Sequence, residues 1–126
     1  MNRASIRTKD NLIGVNYKLS MLVGYALAIS TVDFFVNEGI RTTKRQQEYY
    51  KKGTTKVDGL INKSQHQLGR AIDIYYVGWK KGAEDNQKWK ELINAFKLAG
   101  KRLGIKLIFG YDWGWDKPHI ELDDKE

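Results

Sequence analysis

The chain holds two histidines, and acidic residues lie close to both. His66 stands in Ser64-Gln65-His66-Gln67-Leu68-Gly69-Arg70-Ala71-Ile72-Asp73, and His119 in Asp116-Lys117-Pro118-His119-Ile120-Glu121. Cysteine is absent, so disulfides, thiolate ligands and a cysteine nucleophile are excluded. Any metal site must use His, Asp or Glu. Asp73 lies between Ile72 and Ile74, where a buried carboxylate is costly unless it is paired or bound to a metal. Zinc in hydrolases takes three protein ligands from histidine and carboxylate and keeps its fourth position for water. His66, Asp73 and His119 make up such a set. Asp116 is a nearby spare carboxylate, able to take a proton during metal-assisted hydrolysis.

Each residue also has a plainer reading. His66 alone fits an exposed loop, Asp73 fits a carboxylate paired with Arg70 or Arg41, and His119 fits a hydrogen-bonded strand residue. Spacing by itself leaves both readings open.

The elements that must position these residues follow from hydrophobic periodicity. Leu19, Leu22, Val23, Ala26 and Leu27 share one face of a helix over about Tyr17 to Ser30, with Asn16 as its cap. Phe34-Phe35-Val36 reads as a short strand ended by Glu38-Gly39. A second helix runs from Thr43 to about Lys52 and stops at Gly53. Residues 53–65 read as a polar loop. In Ala71 to Val77, Ile72, Ile74 and Tyr76 alternate with Ala71, Asp73 and Tyr75, the signature of a half-buried strand. Gly69 permits a tight turn that brings the His66 loop back over Asp73. A third helix starts near Asp85 or Asn86, carries Trp89, Leu92, Ile93 and Phe96 on its apolar stripe, and ends at Gly104. Lys106 to Phe109 and Pro118 to Leu122 are further strands. In the latter, His119 and Glu121 share one face while Ile120 and Leu122 point to the core. Residues 1–15 are irregular or a short helix. Helices precede a late cluster of strands, which predicts an α+β domain: a small antiparallel sheet, about three helices packed around it, and the metal site in a cleft on the sheet.

A chain of 126 residues with 41 % apolar content accommodates one domain with a real core. No linker or repeat divides it, so a single domain over 1–126 with no separate binding module is expected. The net charge of +7 favours polyanionic partners. The cations are scattered and no nucleic-acid motif is present, so specific nucleic-acid binding rests on charge alone. No segment is long enough to span a bilayer. Leu19 to Ile29, with Ala26-Leu27-Ala28, has some likeness to a signal peptide, but its helical stripe and the Gly24-Tyr25 interruption favour a core helix.

The motif Ser-x-His-x-x-Gly-x-Ala-x-Asp, with Asp-x-x-His far downstream, resembles the M15 family of zinc D-Ala-D-Ala carboxypeptidases and L-alanyl-D-glutamate endopeptidases. Ser64, His66, Gly69, Ala71 and Asp73 match its fixed positions. Gly39-Ile40-Arg41-Thr42, Gln46, Tyr50 and Gly53 match an upstream block, and Phe109-Gly110 with Asp112-Trp113 a downstream one. The resemblance covers about residues 12–122. It implies one zinc ion on His66, Asp73 and His119, with Asp116 as general base and then proton donor to the leaving amine. Arg41 would hold the developing oxyanion or a substrate carboxylate, tasks suited to a guanidinium fork. An ion pair with Asp33 or Glu38 is the structural alternative for Arg41. Gln46 and Ser64 would assist around the site or touch substrate. Their alternatives are a capping box of Gln46 with Thr43 and loop organisation by Ser64. Trp113 and Trp115 would line the cleft or shield the metal, with core packing as the alternative for one of them.

Two features depart from the common family pattern. Lys117-Pro118 replaces small residues before the last histidine, which a strand's first position tolerates. Asp116 stands where many carboxypeptidases carry Glu, and this favours the endopeptidases. The expected function is a phage endolysin cutting the L-alanyl-D-glutamate bond of peptidoglycan stem peptides. Such an enzyme acts as a monomer, is made in the host cytoplasm and is released to the periplasm and wall at lysis. Its basic surface would meet anionic outer-membrane or wall polymers. The alternatives are a D-alanyl-D-alanine carboxypeptidase or dipeptidase, and an inactive zinc-stabilised wall-binding module.

Overall fold

Apolar periodicity becomes two helices laid on one face of a sheet. The computed structural model describes residues 2–53, 59 and 64–123. In chain order its elements are α1 (Ile6–Asn11), α2 (Tyr17–Ile29), β1 (Phe34–Glu38), α3 (Thr43–Lys51), β2 (Ala71–Tyr76), α4 (Asn86–Leu103), β3 (Leu107–Phe109), α5 (Gly110–Trp113) and β4 (His119–Leu122). The strands form one antiparallel sheet in the order β1-β2-β4-β3.

The α2 stripe is buried throughout, and the Asn16 side chain accepts from the Lys18 N–H at its start. Asp85 caps α4 through the N–H groups of Gln87 and Lys88, and Gly104 ends it in the left-handed conformation. Trp89, Leu92, Ile93 and Phe96 of α4 are all buried. Phe96 meets Phe34 edge-on at 5.1 Å, and Trp89 meets Tyr76 at 5.4 Å. Ile72, Ile74, Ile120 and Leu122 complete the core, each at most 3 % exposed. Burying these side chains in full stabilises the fold by roughly 1.5–3 kcal/mol each.

The opposite face of β2 carries Ala71, Asp73 and Tyr75, as the alternation predicts. Three details depart from expectation. β1 runs past Val36 and takes in Glu38 as its last residue, and an irregularity between Val36 and Glu38 shifts the register and sets Glu38 opposite Asp73. One unexpected short helix, α5, joins the three expected ones and the short helix allowed for within residues 1–15, which is α1. Four residues are too few to display a helical period. Thr42, not Thr43, caps α3, accepting from the Arg45 N–H. The capping box assigned to Thr43 and Gln46 is therefore absent. The polar loop expected over 53–65 lies mostly outside the described residues, as do residues 124–126.

Candidate metal centre

The antiparallel register of β2 and β4 sets Asp73 directly opposite His119. His66 arrives from the preceding turn, in which the Leu68 N–H donates to the Ser64 carbonyl and the Arg70 N–H to the Gln65 carbonyl. Gly69 closes that turn at φ 69°, a conformation strained for side-chain-bearing residues. Its carbonyl accepts from the Asn16 N–H at 2.8 Å, tying the loop to the start of α2. The Arg41 N–H donates to the His66 carbonyl at 3.2 Å and pins the loop from the other side.

His66 Nε2 lies 3.3 Å from Asp73 Oδ1, and His119 Nδ1 lies 3.6 Å from the same oxygen. One donor atom from each of the three residues falls within 4.8 Å of the others. A zinc tetrahedron with bonds of about 2.05 Å has edges of roughly 3.3 Å, the scale of these separations. Asp73 Oδ1 is a buried side-chain oxygen without a hydrogen-bond partner among the described residues, so a cation is the partner its burial calls for.

Both imidazoles are held by the nitrogen that faces away from Asp73. His66 Nδ1 is 2.9 Å from the Gly39 carbonyl, and His119 Nε2 is 2.8 Å from Glu121 Oε1. Donation to these acceptors leaves the inner nitrogens with lone pairs, the tautomers a metal requires. Glu121 and the Gly39 carbonyl were not assigned this part from sequence. The shared strand face of His119 and Glu121 was the available signal.

Electrostatics follow the packing. Burial alone would raise the Asp73 carboxyl, but the two imidazoles beside it hold it well below the usual carboxylate range. Burial would lower His119, yet the Asp73 and Glu121 carboxylates beside its two ring nitrogens override that and push it up to about 9 without metal. Asp116 is raised, first by burial and then by the Asp73 charge, while His119, His66 and Arg41 pull it back. Asp116 therefore feels the charges of the whole cluster. Its carbonyl accepts from the His119 N–H at 3.2 Å, and a side chain on Gly110 would come within 2.1 Å of that carbonyl oxygen. Gly110 permits the close approach of the Asp116 turn to β4.

Arg41 is mostly buried. Its Nε donates to Glu38 Oε1 at 2.8 Å and its NH1 to Gln46 Oε1 at 2.7 Å. Its guanidinium lies over the Tyr49 ring at 4.7 Å. The Glu38 ion pair named as the structural alternative is thus present, and it holds the guanidinium in a fixed orientation. Gln46 is fully buried beside Arg41. Ser64 Oγ accepts from the Gln67 N–H, and Gln67 Oε1 accepts from the Ser64 N–H, so Ser64 organises the His66 loop. Neither tryptophan is in the core: Trp113 is 42 % and Trp115 75 % exposed. Trp113 stacks on His119 at 5.4 Å and on Trp115 at 5.2 Å.

The sequence profile of the phage L-alanyl-D-glutamate peptidases matches residues 1–125. The chain belongs to that family. It is 36 % identical to the L-alanyl-D-glutamate peptidase of Escherichia phage T5, over 91 % of this chain and 93 % of the relative. It is 32 % identical to the peptidoglycan L-alanyl-D-glutamate endopeptidase CwlK of Bacillus subtilis, over 77 % of this chain and 65 % of that protein. Among solved structures, the L-Ala D-Glu endopeptidase ChiX of Serratia marcescens superposes with a TM-score of 0.80 at 28 % identity, over 93 % of this chain and 86 % of that one. Family membership makes the chain a peptidase, and its His/Asp/His group is consistent with one zinc ion. No helix among the described residues is long and apolar enough to cross a membrane.

Proposed function

We propose that this single-domain chain is a zinc-dependent endopeptidase that hydrolyses the L-alanyl-D-glutamate bond of peptidoglycan stem peptides. The observation that carries the reading is the partnerless Asp73 oxygen facing the inner nitrogens of His66 and His119, in a chain of this family. These three residues hold the ion. When bound, zinc supplies Lewis acidity to the scissile carbonyl and to the attacking water. Asp116 takes the proton from that water and returns it to the departing amine of D-glutamate. Its raised carboxyl makes it a better base than an exposed aspartate. Arg41, braced by Glu38 and Gln46, steadies the negative charge that develops on the carbonyl oxygen or a substrate carboxylate. Trp113 and Trp115 border the substrate path beside His119.

The working enzyme is a monomeric phage lysin, made in the host cytoplasm and released to the wall at lysis, and its net charge of +7 draws it toward anionic wall and membrane polymers. The test is incubation of purified, zinc-loaded protein with a defined muropeptide. Products ending in L-alanine and beginning with D-glutamate support the reading. Release of free D-alanine assigns a carboxypeptidase instead, and intact substrate leaves an inactive wall-binding module.

A further inference from the structure

The two histidines adjoin chemically different surroundings. The His66 carbonyl accepts from the Arg41 N–H, and the Arg41 side chain pairs with Glu38, whose Oε2 lies 3.6 Å from Arg45 NH1. The Arg41 and Arg45 guanidiniums supply the cations of that end. His119 adjoins Trp113 and, through it, Trp115, a stack that carries no charge of its own. The cations nearby are paired with carboxylates: Lys97 Nζ contacts Asp112 Oδ1 at 2.8 Å, and Lys117 Nζ lies 3.8 Å from Glu84 Oε1. The site therefore has a cationic end and an aromatic end.

The substrate has the same polarity, provided the proposed bond is the one cut. D-Glutamate, on the leaving side, carries a carboxylate. L-Alanine, on the other side, is joined through its nitrogen to the lactyl arm of a glycan sugar. One residue of chain reaches about 3.3–3.6 Å, so the sugar follows closely after the scissile carbonyl. The aromatic ladder extends outward from His119 in steps of 5.4 and 5.2 Å, so indole faces lie beside that metal-site residue on the side where the sugar would follow. Indole faces suit the C–H face of a sugar ring, which buries apolar area while its hydroxyls stay in water.

We propose that the Trp113–Trp115 stack receives the N-acetylated sugar that bears the stem peptide, and so sets the direction in which the peptide crosses the metal centre. This rests on the L-alanyl-D-glutamate reading above. It makes Trp115 a specificity residue for glycan-linked over free peptide.

The test compares kcat/KM on two substrates that differ only before L-alanine: an N-acetylmuramyl stem peptide and the same peptide with an N-acetyl group. Wild type, Trp115→Ala and Trp115→Tyr are measured on both. Trp115 is 75 % exposed, so its replacement leaves the core intact. Wild type is expected to prefer the muramyl substrate, Trp115→Ala to lose roughly five- to tenfold of that preference, and Trp115→Tyr to keep most of it. A second readout needs no turnover: N-acetylmuramyl-L-alanine should perturb tryptophan fluorescence at concentrations where N-acetyl-L-alanine does not. Equal losses on both substrates, or no muramyl preference in wild type, would overturn the proposal while leaving the endopeptidase reading intact. Failure of wild type to cut either substrate after L-alanine would overturn both.

Discussion

His119 Nε2 lies 2.8 Å from Glu121 Oε1, two residues further along the same strand, and this contact turns Nδ1 of the same ring toward Asp73. Glu121 therefore orients a proposed metal ligand from outside the three-residue group. Outer carboxylates of this kind also raise the basicity of the imidazole they hold.

Glu121→Ala should weaken zinc binding about 10–100-fold. The side chain is 17 % exposed on the edge of the site, so the fold should survive. Competition against a calibrated chelator measures the affinity, and circular dichroism checks the fold. Unchanged affinity would show that the ring is held by packing alone.

Proton release should accompany metal binding. In the metal-free protein His119 is pushed up to about 9, so at neutral pH it carries a proton that zinc must displace. His119 then contributes about one released proton per ion at pH 7.5, and affinity rises with pH until His119 is already neutral, near pH 9. The Asp73 carboxyl is shifted downward and already ionised, so it contributes none. Calorimetric titration in buffers of different ionisation heat counts the protons. Zinc binding without proton release near pH 7.5 would remove this account of the Asp73–His119 pair.

Asp116→Asn should lower kcat by about 10²–10⁴-fold while zinc content stays near that of the parent, because Asp116 lies outside the three-residue metal group. Metal analysis alongside turnover separates the two effects. Near-parental activity would reassign the base.

Gly110→Ala places a methyl group 2.1 Å from the Asp116 carbonyl oxygen and 2.9 Å from His119 Cβ. Backbone must move to accept it, which should cost about 1–3 kcal/mol of stability. Activity should fall further than stability alone explains, since the displaced residues include the proposed base and a metal ligand. Thermal unfolding and turnover of the same sample test this. Parental activity in a folded variant would show that the Asp116 turn tolerates displacement.

Much of this arrangement was legible beforehand because it rests on periodicity and chemical type. The α2 stripe, the alternation in β2, the Asn16 cap of α2, the Gly104 end of α4, and the pairing of the two histidines in a chain without cysteine all survive in the structure. What escaped depends on geometry that no short pattern encodes. The register shift in β1 brings Glu38 opposite Asp73 and beside Arg41. Gln46 looked like half of a capping box, but the cap moved one residue back to Thr42 and freed Gln46 to bind Arg41. For Trp113 and Trp115 the sequence left cleft lining and core packing both open, and the choice depends on α5, a single turn after which both rings stay outside the core, with Trp113 against His119.

The central claim is that His66, Asp73 and His119 hold the one ion on which cleavage after L-alanine depends. Its most direct test is mass spectrometry of a defined muropeptide digested by native protein, by chelator-treated protein, and by chelated protein resupplied with one equivalent of zinc. The account predicts an L-alanyl-D-glutamate cut that disappears with the chelator and returns with zinc. Undiminished cleavage after metal removal, or release of D-alanine by the zinc-loaded enzyme, would contradict it.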